Sequence, residues 1–136
     1  MKKIVLVLFV FAVSGSAFAQ TLAIAKPGNV LREENAVFTW AQTTFDFGKI
    51  KVNIPATHEF TFTNSGNIPL VISSVKASCG CTVADYSKDP IAPGTKGFVK
   101  ATYNAANVGQ FTKTVTVNAN TAEGVVVLTI KGEVTQ

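Results

Sequence analysis

The sequence predicts an all-β domain, a single sandwich of about seven short antiparallel strands. Three observations predict it. From Thr44 onward, β-branched and aromatic residues recur in short runs, several of them alternating with polar residues. Clusters of Gly, Pro, Asn and Asp separate the runs. No segment of helical period and useful length follows residue 19.

The strands are justified in order. Thr44-Phe45-Asp46-Phe47 is the first and ends at Gly48. His58-Glu59-Phe60-Thr61-Phe62-Thr63 alternates, with Phe60 and Phe62 on one face and Glu59, Thr61 and Thr63 on the other. Asn64-Ser65-Gly66-Asn67 is a turn of residues that tolerate positive φ. Leu70 to Val75 is the third strand, with Pro69 at an acceptable leading position. Thr82 to Tyr86 is a short fourth, and a turn over Pro90 to Gly94 precedes Lys96 to Tyr103. Phe111 to Val117 and Val125 to Ile130 are dense in β-branched residues and flank the polar loop Asn118 to Gly124. Strands of this length and spacing indicate an immunoglobulin-like sandwich. Its inward set is Phe60, Phe62, Leu70, Ile72, Phe98, Val115, Val117, Leu128 and Ile130, read as core and not as a cofactor pocket.

Residues 1–19 read as an export signal. Lys2 and Lys3 give a positive start, Ile4 to Val13 is an unbroken apolar run, and Ala17-Phe18-Ala19 offers small residues for cleavage before Gln20. A spanning helix needs about 20 apolar residues, which this run does not reach, so the mature chain is expected to carry no membrane span. Residues 20–42 read as an extended lead-in, within which Ala36 to Trp40 is either an early strand or a segment laid against the domain. Trp40, the sole tryptophan, reads as a packing residue. The sandwich is expected over 43–136.

Charge excludes one class of partner. Of 12 Lys and Arg, Lys2 and Lys3 leave with the signal, so ten basic residues face eight acidic ones, a net charge of +2. The basic residues are scattered, whereas a nucleic-acid surface concentrates them beside stacking aromatics. No nucleic-acid partner is expected.

Several segments together resemble a known family. Phe45-Asp46-Phe47-Gly48-Lys49-Ile50, the series His58, Phe60, Phe62, Asn64, Gly66, Asn67, Pro69, Leu70, and Ser78-Cys79-Gly80-Cys81-Thr82 carry the likeness. Pro90-Ile91, Pro93-Gly94, Lys113 to Val117 and Leu128 to Gly132 continue it. In that order they are similar to the bacterial domain-of-unknown-function family 1573, over residues 44 to 134. The resemblance implies an immunoglobulin-like sandwich akin to the major-sperm-protein and cilia-associated modules, and it implies no established activity. Where the family pattern tends to place glycine in the first hairpin, this chain has Asn53, the residue next most tolerant of a left-handed backbone.

The chemistry-bearing candidates are few. Cys79 and Cys81 are the only cysteines, and in an exported chain they are expected to oxidise. Their Cα atoms come within bonding range only if the backbone bends at Gly80. Chain entropy gives so small a loop only about 1.5 kcal/mol. Three roles stand open: a local disulfide shaping the turn, a clamp for Cu(I) or Zn²⁺ with His58 as third ligand, and a thiol-exchange pair. His58, the only histidine, reads otherwise as structural, donating to a neighbouring carbonyl. No nucleophile elbow, phosphate loop or His-x-x-x-His pair occurs, and no cofactor is called for. Asp46, Glu59, Asp85, Asp89, Glu123 and Glu133 read as solvated surface charge.

The function that follows is a non-catalytic, exported domain acting through its surface on an unknown protein or envelope component, periplasmic or secreted. The alternatives are a periplasmic metal-binding or thiol-redox protein centred on Cys79-Gly80-Cys81, and a chaperone-like binder that accepts a partner strand at an open sheet edge.

Overall fold

The computed structural model describes residues 33–136. The signal segment and the first part of the lead-in lie outside the described residues.

Eight strands form two four-stranded sheets. They are β1 (Phe38–Trp40), β2 (Thr44–Lys51), β3 (Ala56–Asn64), β4 (Ile72–Ala77), β5 (Thr82–Tyr86), β6 (Lys96–Tyr103), β7 (Gly109–Ala119) and β8 (Val125–Thr135). One sheet has the order β1-β3-β6-β5 and the other β2-β8-β7-β4. The all-β sandwich read from the sequence is therefore the fold.

Two details differ from the expectation of about seven antiparallel strands. Ala36 is fully buried, and Phe38 to Trp40 pairs with Phe62 to Asn64, so part of the expected lead-in enters the sandwich as an early strand. The chain then changes sheets between Trp40 and Thr44, and β2 runs parallel to β8. Splitting the N-terminal strand in this way supplies both the eighth strand and the single parallel pair.

β2 also runs past Gly48 instead of ending there. Gly48 has φ +64° and sits in a register shift between Asp46 and Lys49, where the Asp46 carboxylate accepts the Gly48 N–H at 2.8 Å. The glycine is a bulge, not a terminator. Asn53 does take the left-handed conformation, at φ 61°, and its N–H is held by the Ala105 carbonyl at 2.9 Å.

The core lies between the sheets. Phe60, Phe62, Leu70, Val99, Val115, Val117, Leu128 and Ile130 are its largest buried side chains, with Val134 beside them. Phe98 is the exception to the predicted inward set. It pairs with Thr61 on the outward face of β6, and the Lys100 Nζ lies 5.6 Å from its ring centre. The physical reason is at Gly97, where a Cβ would collide with the Phe62 ring. Only glycine fits there, so the inward positions of β6 are Gly97, Val99, Ala101 and Tyr103, and Phe98 falls between them.

Candidate functional site

Two of the chain's changes of sheet, from β1 to β2 and from β4 to β5, lie beside the side chains singled out by sequence. At the second of these, Cys79 and Cys81 are joined by a disulfide with Cα atoms 5.3 Å apart. β4 and β5 are edge strands of opposite sheets, so the bond clasps the corner where the chain crosses between them. Hydrogen bonds anchor both flanks. The Ser78 N–H donates to the Thr114 carbonyl at 2.8 Å, and the Thr114 N–H donates to the Ser78 Oγ at 3.1 Å. On the far side the Asn104 N–H donates to the Cys81 carbonyl at 3.0 Å.

His58 is engaged elsewhere. It points inward on β3, its ring stacked on Phe45 at 3.6 Å between centroids and edge-on to Phe60 at 4.7 Å. The Gln42 amide donates to His58 Nε2 at 2.9 Å, which makes that nitrogen the acceptor of a neutral imidazole. The partner is thus an amide and an aromatic face, not the backbone carbonyl expected. Burial pushes the His58 pKa below its ordinary value, partly countered by the neighbouring Glu59 carboxylate. Among the described residues no three His, Cys, Asp or Glu side chains gather as a metal site. The clamp entertained for His58, Cys79 and Cys81 is not assembled.

The carboxylates are placed on the surface. Asp46 lies 3.9 Å from Lys131, Glu59 3.6 Å from Lys100, and Asp85 3.7 Å from Lys88, all well exposed. Such pairs contribute little to stability.

Sequence reasoning missed the group that organises the corner after β3, where the chain crosses to β4. Asn64 is fully buried and uses all of its side-chain capacity. Its amide donates to the carbonyls of Ile68 and Ile91 at 2.8 and 2.9 Å, and its oxygen accepts the N–H of Val37 and Gly66 at 3.3 and 3.0 Å. Asn67 continues the grip, accepting the Asn35 N–H at 2.8 Å and donating to the Glu33 carbonyl at 3.1 Å. The Ser65 N–H donates to the Val37 carbonyl at 3.0 Å. A Cβ on Gly66 would overlap the Asn35 carbonyl, so glycine lets the two backbones touch. These residues read the backbone of 33–37 at every second position. The signal available in the sequence was the order Asn64-x-Gly66-Asn67 within the family-like motif. Below the grip, Phe38, Trp40 and Phe62 pack with centroids 4.8–4.9 Å apart. Among the described residues the Trp40 Nε1 has no hydrogen-bond partner.

Comparison with known proteins adds the following. Residues 38–134 match the family described as "Protein of unknown function (DUF1573)". No curated protein matches the chain. Among solved structures, it is similar to a protein of unknown function from Porphyromonas gingivalis W83, with a TM-score of 0.66 and 17% identity over 75% of this chain and 48% of that one. It is similar to an ASH / PapD-like domain of human CEP192, with a TM-score of 0.63 and 6% identity over 76% of this chain and 88% of that one. It is also similar to the VesB protease of Vibrio cholerae, with a TM-score of 0.58 and 15% identity over 73% of this chain and 32% of that one. The chain thus spans about half the length of the Porphyromonas protein. At these identities the likenesses speak to the fold alone, and they agree with the immunoglobulin-like sandwich.

Proposed function

The chain belongs to the DUF1573 family, and from that premise we propose that it is an exported, non-catalytic module of the cell envelope that binds a protein or another envelope component. The observation that carries export is the agreement of two distant features. Residues 1–19 have the composition of a cleavable signal, and Cys79 and Cys81 are bonded, a state that persists in oxidising compartments. Binding through the surface is supported by where the polar side chains go: Asn64 and Asn67 hold backbone, and His58 is stacked in an aromatic cluster. Fractionation of cells producing the chain with a C-terminal tag tests the reading. Protein recovered from the periplasm or medium, beginning near Gln20, is the expected result. Uncleaved protein confined to the cytosol would overturn it.

One observation favours a second reading, in which a partner strand is accepted at a sheet edge. Among the described residues β5 pairs only with β6, and Val83 on it is 68% exposed. A strand added there would gain main-chain hydrogen bonds and cover Val83. Crosslinking from position 85, on the same exposed face of β5, should capture a partner in whole cells, and adding Val83→Lys should abolish the capture. Equal capture by both proteins would place the binding elsewhere.

A further inference from the structure

The disulfide corner carries chemistry that a binding role does not use. The bond closes a loop of three residues, so little of the domain's stability rests on it. Its flanks hold independently: Ser78 is hydrogen-bonded to Thr114 of β7, and the Cys81 carbonyl to Asn104 beyond β6. Breaking the bond leaves β4 and β5 fastened to their own sheets. The geometry is that of a link that opens without unfolding the domain.

The two sulfurs also differ. Cys81 packs against the buried core, whereas Cys79 stands outside that cluster. The Sγ of Cys79 lies 3.8 Å from the hydroxyl of Thr82, a residue only 5% exposed. Between the cysteines, Gly80 is exposed, a Cβ there would meet nothing within 4 Å, and its φ lies outside the left-handed region. Neither packing nor φ within this chain requires glycine at the tip. A bare tip does leave the bond open to another molecule.

We propose that Cys79–Cys81 is a thiol–disulfide exchange site for a dithiol protein. The partner's thiolate attacks the Cys79 Sγ, forming a mixed disulfide as the Cys79–Cys81 bond breaks. The electron pair leaves on Cys81, which takes a proton from solvent. The partner's second thiolate then attacks the partner's own sulfur in the mixed disulfide. Cys79 leaves as a thiolate beside the Thr82 hydroxyl, which donates to it until it too takes a proton from solvent. The partner loses two electrons and two protons, and this chain gains both as two thiols. The reverse sequence reduces an oxidised partner and restores the Cys79–Cys81 bond.

The test treats the purified chain with dithiothreitol and, separately, with reduced thioredoxin as the dithiol-protein probe, following thiols by alkylation and intact mass. Both should reduce the bond, the far-UV spectrum should be unchanged, and oxidised thioredoxin in excess should restore the disulfide. Cys81→Ser, which keeps Cys79, should displace thionitrobenzoate from a single-thiol thioredoxin that carries it as a mixed disulfide about ten-fold faster than Cys79→Ser. Gly80→Val, on the open tip, should slow thioredoxin by about ten-fold and dithiothreitol by less than about two-fold. Unfolding on reduction, resistance to both reductants, or equal reactivity of the two single-cysteine variants would each overturn the proposal. None of these outcomes depends on where the cell places the protein, so they are read separately from the export test.

Discussion

The corner that follows β3 and the corner that begins β5 both carry the chain from one sheet to the other, and they are secured by opposite means. The first has no covalent link. Its grip is Asn64 and Asn67 on the backbone of residues 33–37, with Phe38 and Trp40 packed beneath. The second has a covalent bond, backed by three hydrogen bonds. The difference teaches that a covalent bond is not the stronger fastening here. Buried polar groups cost their full desolvation when a partner is removed, while a disulfide across three residues restrains the unfolded chain only slightly.

Four predictions would break or sharpen that contrast. Asn64→Ala carries the largest effect, because it strips the carbonyls of Ile68 and Ile91 and the N–H groups of Val37 and Gly66 in one step. A loss of about 3–4 kcal/mol by urea denaturation is expected. A loss below about 1 kcal/mol would show that the hub is not what holds the first corner. Trp40→Ala should cost about 2–3 kcal/mol, since it removes a large, partly buried ring from the Phe38–Phe62 cluster. Differential scanning calorimetry reads this as a lowered Tm with a single transition.

Replacing both Cys79 and Cys81 with Ser should cost no more than about 1.5 kcal/mol. A larger loss in the same denaturation series would reverse the ranking of the two corners. The smallest effect belongs to His58, which lies in neither corner but against Phe45 of β2. Its pKa in the folded chain lies below the ordinary value of 6.5, so the unfolded chain binds more protons in the window between the two. Stability should therefore fall slightly as pH is lowered through 6.5 toward the folded pKa. Denaturation midpoints at neutral and mildly acidic pH, compared with those of His58→Gln, isolate the slope, which the variant should lose.

The sequence made some of this legible and hid the rest for identifiable reasons. β3 and β7 announce themselves because apolar and polar residues alternate along them, which fixes both strand and face, and β8 because it is dense in β-branched residues. Asn53 was legible through its tolerance of positive φ, and φ 61° follows. Phe98 misled because Gly97 carries no side chain to reveal that it is the inward residue, and a large aromatic next to it looks like core. Gly48 misled because a bulge and a strand end share the same residue. The grip of Asn64 and Asn67 was hidden for a different reason. Its partners lie about 30 residues away, at separations of 27, 32 and 34. Turn propensity is local, and it explains why asparagine is permitted at these positions without saying what the side chains hold. Joining of the cysteines was anticipated, but the anchoring of both flanks at a sheet crossing is tertiary information.

The parallel pairing of β2 with β8 has a consequence in time. Thr135 hydrogen-bonds to Ile50 across 85 positions of chain, and Thr44 is matched with Thr129. That seam joins the first strand of its sheet to the last one made, and so long a loop is slow to close. The second sheet stays unsealed until β8, the last of its strands in chain order, has been made, so the domain cannot close on itself before then.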